Sequence, residues 1–243
     1  DNPEFKNLPG IAVLIGGLWV ANLYYWGFNQ YIIQRTLAAK SLKEAQRGIA
    51  FAAFLKLIVP LIVVIPGIVA FVMYTESKDP SVTAMFEMTG GNDKAYPWLI
   101  GTFVPTGLKG LVLAALAAAI VSSLASMLNS TSTIFTMDIY KPYMDREASH
   151  KKLVSVGRLT AAVALVIAGL IAPMMANFDQ MFVYIQEYTG LVSPGILAVF
   201  LMGLFWKKTT NRGAIIGVLI SIPVALLLKF LPIEMPFLDQ MMY

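Results

Sequence analysis

Cysteine is absent from this chain, which excludes disulfides and thiolate metal sites alike. Histidine occurs once, as His150 in a stretch crowded with charges, a poor setting for a metal ligand or an acid/base group. Charge itself is scarce: 13% of residues are Asp, Glu, Lys or Arg, against roughly 25% in an ordinary soluble domain. The signatures of common enzymes are missing too. The chain has no H-E-x-x-H motif, no pair of membrane aspartates and no glycine-rich phosphate loop after a strand pattern. A Ser–Lys dyad of Ser122 or Ser123 with Lys56 is the remaining enzymatic reading, and no further feature speaks for it. Low-complexity tracts and tandem repeats do not occur, so the expectation is a protein that is not an enzyme.

Apolar sequence is what remains. Hydrophobic residues make up 58% of the 243, and crossing roughly 30 Å of hydrocarbon takes about 20 of them in a helix. Six stretches qualify, at about 8–35, 47–74, 106–137, 153–176, 181–206 and 213–232. The predicted fold is an all-α polytopic membrane protein, residues 1–243 forming a single transmembrane domain whose principal partner is the lipid bilayer. Basic residues orient it. With strict alternation, Arg35, Lys40, Lys43, Arg47, Lys141, Arg146, Lys151, Lys152, Arg158, Lys207, Lys208 and Arg212 fall on one side. Lys6, Lys78, Lys94, Lys109 and Lys229 fall on the other. The positive-inside rule makes the first side cytoplasmic and puts both ends outside. The net charge of +4 thus reflects topology rather than a polyanionic partner such as nucleic acid. A polytopic chain that starts outside at Asp1, with no signal segment, is expected to be a piece of a longer protein.

Local signals refine the spans. Ser41-Leu42-Lys43-Glu44 reads as a capping box at the start of span two, and Pro60 and Pro66-Gly67 predict kinks in its outer half. Residues 76–105 read as a polar outer loop, with Gly90-Gly91-Asn92-Asp93 and a short helix near 97–102. Span one runs from Pro9 to about Thr36. In span five, Gly190 and Ser193-Pro194-Gly195 predict a break or kink in mid-membrane.

Polar residues at membrane depth carry the functional expectation. Lys56 lies inside span two with no acidic residue within ten positions on either side, and intramembrane ionisable residues are functional candidates. It is a donor to substrate oxygen, a partner for a carboxylate such as Glu187, or a residue snorkelling to the inner interface. Asn22, Tyr25, Trp26 and Asn29 follow i, i+3, i+4 and i+7 and share one helix face. An amide beside aromatic rings suits a sugar, whose hydroxyls it hydrogen-bonds while the rings cover C–H faces; interhelical packing is the alternative. Ser122, Ser126, Asn129 and Thr133 form a stripe on span three, offering oxygens to Na⁺ or simply close helix packing. Gln186 and Glu187 stand at similar depth on span five.

These same residues carry a family resemblance. Trp19-Val20-Ala21-Asn22-Leu23-Tyr24-Tyr25-Trp26-Gly27-Phe28-Asn29-Gln30 resembles the sodium:solute symporter family. So do the stretch from Ala119 to Asn129 (AIVSSLASMLN), Gln186-Glu187-Tyr188-Thr189-Gly190, and Gly203-Leu204-Phe205-Trp206-Lys207-Lys208-Thr209-Thr210 with Gly213-Ala214. The likeness is greatest to the family's bacterial sodium/galactose branch and covers nearly the whole chain, the loop 76–95 least. It implies a LeuT-type fold of two inverted five-helix repeats, of which this chain would hold the second repeat plus one helix, the first repeat of the same protein being its missing partner. It further implies sugar contacts at Asn22, Lys56 and Gln186, and a gate at Tyr25 with Trp26 beside it. Na⁺ ligands are implied at the Ala119 carbonyl and the Ser122 and Ser123 hydroxyls. The implied function is Na⁺-coupled uptake of galactose or a similar monosaccharide across a bacterial inner membrane by alternating access. Other solutes (proline, sialic acid, pantothenate), a symporter-like sensor domain and a passive pore are the alternatives.

Overall fold

The computed structural model describes residues 13–77, 80–87, 91–175 and 181–230. The start of span one, the last residues of spans four and six, Lys6, Lys78, Gly90 and Asp179 lie outside them. Helices are the only regular structure among the described residues: α1 (Leu18–Phe28), α2 (Gln30–Leu37), α3 (Leu42–Val72), α4 (Pro80–Glu87), α5 (Gly91–Phe103), α6 (Thr106–Ile134), α7 (His150–Met175), α8 (Met181–Phe205) and α9 (Asn211–Phe230). Five of the helical stretches are long and apolar enough to cross a membrane. They match the predicted spans two to six to within a few residues. The chain is an all-α multi-pass membrane protein. Two compact units divide it, Asp1–Ile33 with Phe182–Tyr243 and Gln34–Met181.

Within the Gln34–Met181 unit, Ser41 caps α3 by accepting the Glu44 amide at 3.3 Å. The Glu44 carboxylate does not complete a capping box but pairs with Arg47 at 3.3 Å. α3 then runs unbroken through Pro60 and Pro66. Its apolar residues are spread all round it and exposed, among them Leu57, Ile62 and Ile68. A helix apolar on every face needs lipid or other helices around it. The outer loop is more helical than its polarity suggested, because α4 and α5 bury Val82, Met85 and Ile100 over the end of α3, where Ala70 is fully buried. Aromatic contact of Tyr74 with Phe86, centroids 4.9 Å apart, continues that layer. α6 and α7 meet through small residues: the Ser132 hydroxyl donates to the Gly157 carbonyl at 2.8 Å. A Cβ at Gly157 would sit 2.8 Å from that same hydroxyl oxygen, so a larger residue would push the hydroxyl aside and break the bond.

In the other unit, α8 and α9 form an antiparallel hairpin. Glu187 faces Lys229, Gly195 faces Ser221 and Val199 faces Gly217, three pairs in one register stepping towards the turn. Of the break or kink expected in α8, a break is not there: the helix is continuous from Met181 to Phe205. Pro194 removes one amide from the ladder without ending the helix. Gly195 is buried, and a Cβ placed there would run into the Ser221 side chain. These residues serve close packing rather than interruption. Gly195→Ala is expected to cost about 1–3 kcal/mol, read as a lower thermal midpoint of the detergent-solubilised protein. Ser221→Gly in the same molecule should recover most of it.

The discontinuity lies in the first span instead. Asn29 is extended, at φ −82° and ψ 119°, and separates α1 from α2. Its carbonyl accepts the amides of Ile32 and Ile33 at 3.1 Å, the position of a helix N-cap, where asparagine is among the preferred residues. Asn29 therefore leaves the face it was expected to share with Asn22, Tyr25 and Trp26.

Candidate functional site

Two groups of candidate residues belong to the unit that holds α1, α8 and α9. Asn22 lies in the middle of α1 and is exposed; its side-chain amide donates to the Leu18 carbonyl at 2.8 Å, leaving Oδ1 as an acceptor. Tyr25 sets its ring edge-on to Trp26, centroids 5.1 Å apart. Its hydroxyl bonds to that of Tyr31, on the far side of the Asn29 break. The expected gate residue is thereby tied across the point where the helix is interrupted. Phe28, the last residue of α1, stacks on Phe200 of α8 with centroids 4.7 Å apart.

Gln186 is half-buried in the second turn of α8. No hydrogen bond joins it to Asn22 among the described residues. Beside it, Glu187 pairs with Lys229 of α9 at 3.0 Å, and the ammonium also lies 4.8 Å from the centre of the Tyr188 ring. The carboxylate that sequence reasoning offered to Lys56 is thus held within the hairpin. Lys229 read as an ordinary outer charge. Its pairing was legible only from the hairpin register, since both residues stand equally far from the turn.

The remaining candidates belong to the Gln34–Met181 unit. Lys56 is exposed near the midpoint of α3, about 21 Å along the helix from Leu42. Ala119, Ser122 and Ser123 are exposed near the midpoint of α6. The helix is unbroken there, so the Ala119 carbonyl is not freed by a discontinuity and would have to ligate through its second lone pair. Several hydroxyls of α6 bond back to a carbonyl one turn earlier: Ser126 to Ser122, Thr131 to Met127 and Thr133 to Asn129. Among the described residues the Ser122 and Ser123 hydroxyls make no such bond.

The stripe on α6 is partly occupied by protein. Arg35, in the last turn of α2, donates to the Ser126 hydroxyl and, at 3.4 Å, to the Ser122 carbonyl. Gln34 donates to the Ser126 carbonyl at 3.1 Å and accepts from the Asn129 side chain at 3.2 Å. For Ser126 and Asn129 the packing alternative therefore holds. Sequence reasoning missed Gln34 and Arg35. The available signal was a stripe of acceptors on one apolar helix, which calls for donors from a polar helix end.

Chemically, the unit of α1, α8 and α9 offers an amide acceptor with aromatic edges on α1 and an amide on α8. The Gln34–Met181 unit, taken by itself, offers an ammonium on α3 and two adjacent hydroxyls on α6.

Comparison with known proteins follows the same lines. The family model described as "Sodium:solute symporter family" matches residues 1–221. The chain is 68% identical, over its whole length, to a sodium/glucose cotransporter of Vibrio parahaemolyticus, of which it covers 46%. It is 38% identical to human sodium/myo-inositol cotransporter 2 over 98% of the chain and 36% of that protein. It is 35% identical to the human sodium/myo-inositol cotransporter over 89% of the chain and 31% of that protein. The chain thus spans a third to a half of the length of these relatives.

Proposed function

Because the chain belongs to the sodium:solute symporter family, we propose that it forms part of a bacterial inner-membrane protein that carries galactose, glucose or a close hexose into the cell with Na⁺. The observation that carries this reading is the 68% identity to a sodium/glucose cotransporter across the entire chain. In this reading the chain contributes the second inverted repeat of a LeuT-type fold and one further helix, the first repeat being supplied by the rest of the protein, and both ends of the chain face outward. Asn22, Lys56 and Gln186 hydrogen-bond the sugar hydroxyls, and Tyr25 with Trp26 closes the pocket towards the cytoplasm. Ser122 and Ser123, with the carbonyl of Ala119, ligate Na⁺. No buried carboxylate of this chain is required, since oxygen dipoles suffice to hold a dehydrated monovalent cation.

Coupling follows from differential affinity. Na⁺ bound to α6 must favour the outward-open state over the inward-open one, because a ligand shifts an equilibrium only by its preference between two states. Arg35 and Tyr31, which tie α2 to the α6 stripe and to Tyr25 respectively, give the inner half of the broken span contacts that such a transition would have to exchange. The test is uptake of labelled galactose by the full-length parent in proteoliposomes. Accumulation is expected only with an inward Na⁺ gradient; equal uptake without one would refute symport. Identity of 38% to a myo-inositol cotransporter favours a cyclitol as the second reading. Competition between unlabelled hexoses and myo-inositol for the same uptake separates the two.

A further inference from the structure

A cavity of about 820 Å³ lies between the inner ends of α6 and α7, lined by residues from Ala125 to Ala161 and distinct from the candidate sugar and Na⁺ ligands. Its polar groups are unlike those of a sugar or cation site. Lys141, His150 and Arg158 line it, and no aspartate or glutamate does. Three of its polar side chains are already spent as donors, Ser132 to Gly157, Thr133 to Asn129 and Asn129 to Gln34, while the buried Thr136 hydroxyl has no partner among the described residues and remains available to a ligand oxygen. Neighbouring charges are likewise used up, Lys152 by Asp145 at 2.6 Å and Arg146 by the Pro142 carbonyl at 2.9 Å. Neither Lys141 nor Arg158 makes an ion pair with a described residue. The rest of the wall is apolar, with Leu128, Met137, Leu153 and Val154.

The placement matters as much as the lining. Arg158 stands about 12 Å along α7 from His150, and helical side chains lean towards their own N-terminus, here the end that carries His150. Arg158 lines the same cavity as Lys141, and both lie towards the end of α7 whose dipole is positive. This end of the helices is also the one that the charge count assigns to the cytoplasm. A cavity lined by cations and hydrocarbon together, inside a bilayer, matches one kind of molecule. Basic pockets between spans on the cytoplasmic side are where anionic headgroups bind.

We propose that this cavity is a binding site for an anionic phospholipid, its phosphate held by Lys141 and Arg158 and the start of its acyl chains lying against Leu128, Leu153 and Val154. The site is of the size of ordinary small-molecule pockets. The inference does not depend on the transport reading.

The test uses the delipidated full-length parent in detergent, titrated separately with phosphatidylglycerol, phosphatidylcholine and inorganic phosphate. Phosphatidylglycerol should raise the thermal midpoint of the wild type, and the Lys141→Gln/Arg158→Gln double variant should lose that rise. Phosphatidylcholine and inorganic phosphate should do neither. Native mass spectrometry should count fewer retained phosphatidylglycerol molecules on the double variant, with retention restored in Lys141→Arg/Arg158→Lys. An equal rise in the double variant, an equal rise with phosphatidylcholine, or a matching rise with inorganic phosphate alone would overturn the assignment. Should the double variant not fold, wild-type lipid retention by Lys141→Gln alone would overturn it as well. Loss of Na⁺-driven uptake with this lipid response intact would remove the transport reading and leave the site standing.

Discussion

Lys56→Ala in the full-length parent is expected to weaken hexose binding by about 10- to 150-fold, the effect of removing one charged donor worth roughly 1.5–3 kcal/mol. The residue stands near the midpoint of a helix 31 residues long, amid apolar neighbours. A lysine at the centre of a span costs about 2.5–3.5 kcal/mol to insert, so alanine should not destabilise the protein. A loss of affinity with an unchanged thermal midpoint reports a missing interaction with the solute. Glu187 is not available to explain Lys56 as its ion-pair partner, since it is paired with Lys229. Lys56→Arg should recover part of the affinity, because the charge returns but a planar fork replaces a compact ammonium. Sugar binding by isothermal titration in saturating Na⁺ decides the matter. Unchanged affinity in Lys56→Ala would return the residue to snorkelling.

The second large effect is expected on the ion. Ser122→Ala/Ser123→Ala should raise the Na⁺ concentration for half-maximal uptake by about tenfold or more, since two acceptors to a charged ligand are lost together. Both hydroxyls make no hydrogen bond among the described residues, so removing them breaks nothing else that the structure holds. Ser126→Ala is the matched control. It lies one turn further along α6, but its hydroxyl bonds the Ser122 carbonyl and receives Arg35. Its loss should loosen α2 from α6 and lower the thermal midpoint, with a smaller shift of the Na⁺ curve. If the double variant and Ser126→Ala move that curve equally, Ser122 and Ser123 are packing residues.

How far the sequence could be read differs from feature to feature. The limits of α3, α6, α7, α8 and α9 were legible because the length of an apolar run is a local property. The break at Asn29 went unread for an equally physical reason. Pro194 and Gly190 looked like interrupters, yet an apolar span tolerates both where a neighbouring helix fits against them, as α9 does at Gly195 and Ser221. Asn29, with no proline beside it, ends α1 because it takes up the N-cap geometry of α2. The candidate oxygens of Ser122 and Ser123 were found by their depth, whereas their near neighbour Ser126 proved to be held by Gln34 and Arg35, 92 and 91 positions away in the chain.

The sequence by itself determined that this chain crosses a membrane repeatedly, where its long spans lie, and which family it belongs to. Those follow from apolar length and from short runs of residues that need no knowledge of neighbours. Only the tertiary structure decided that Glu187 belongs to Lys229, that Arg35 reaches the α6 stripe, and that Lys141 and Arg158 share a cavity. Hydropathy says how deep a side chain sits, but not which way its helix is rotated or what it stands beside; those depend on close approach at residues such as Gly157 and Gly195.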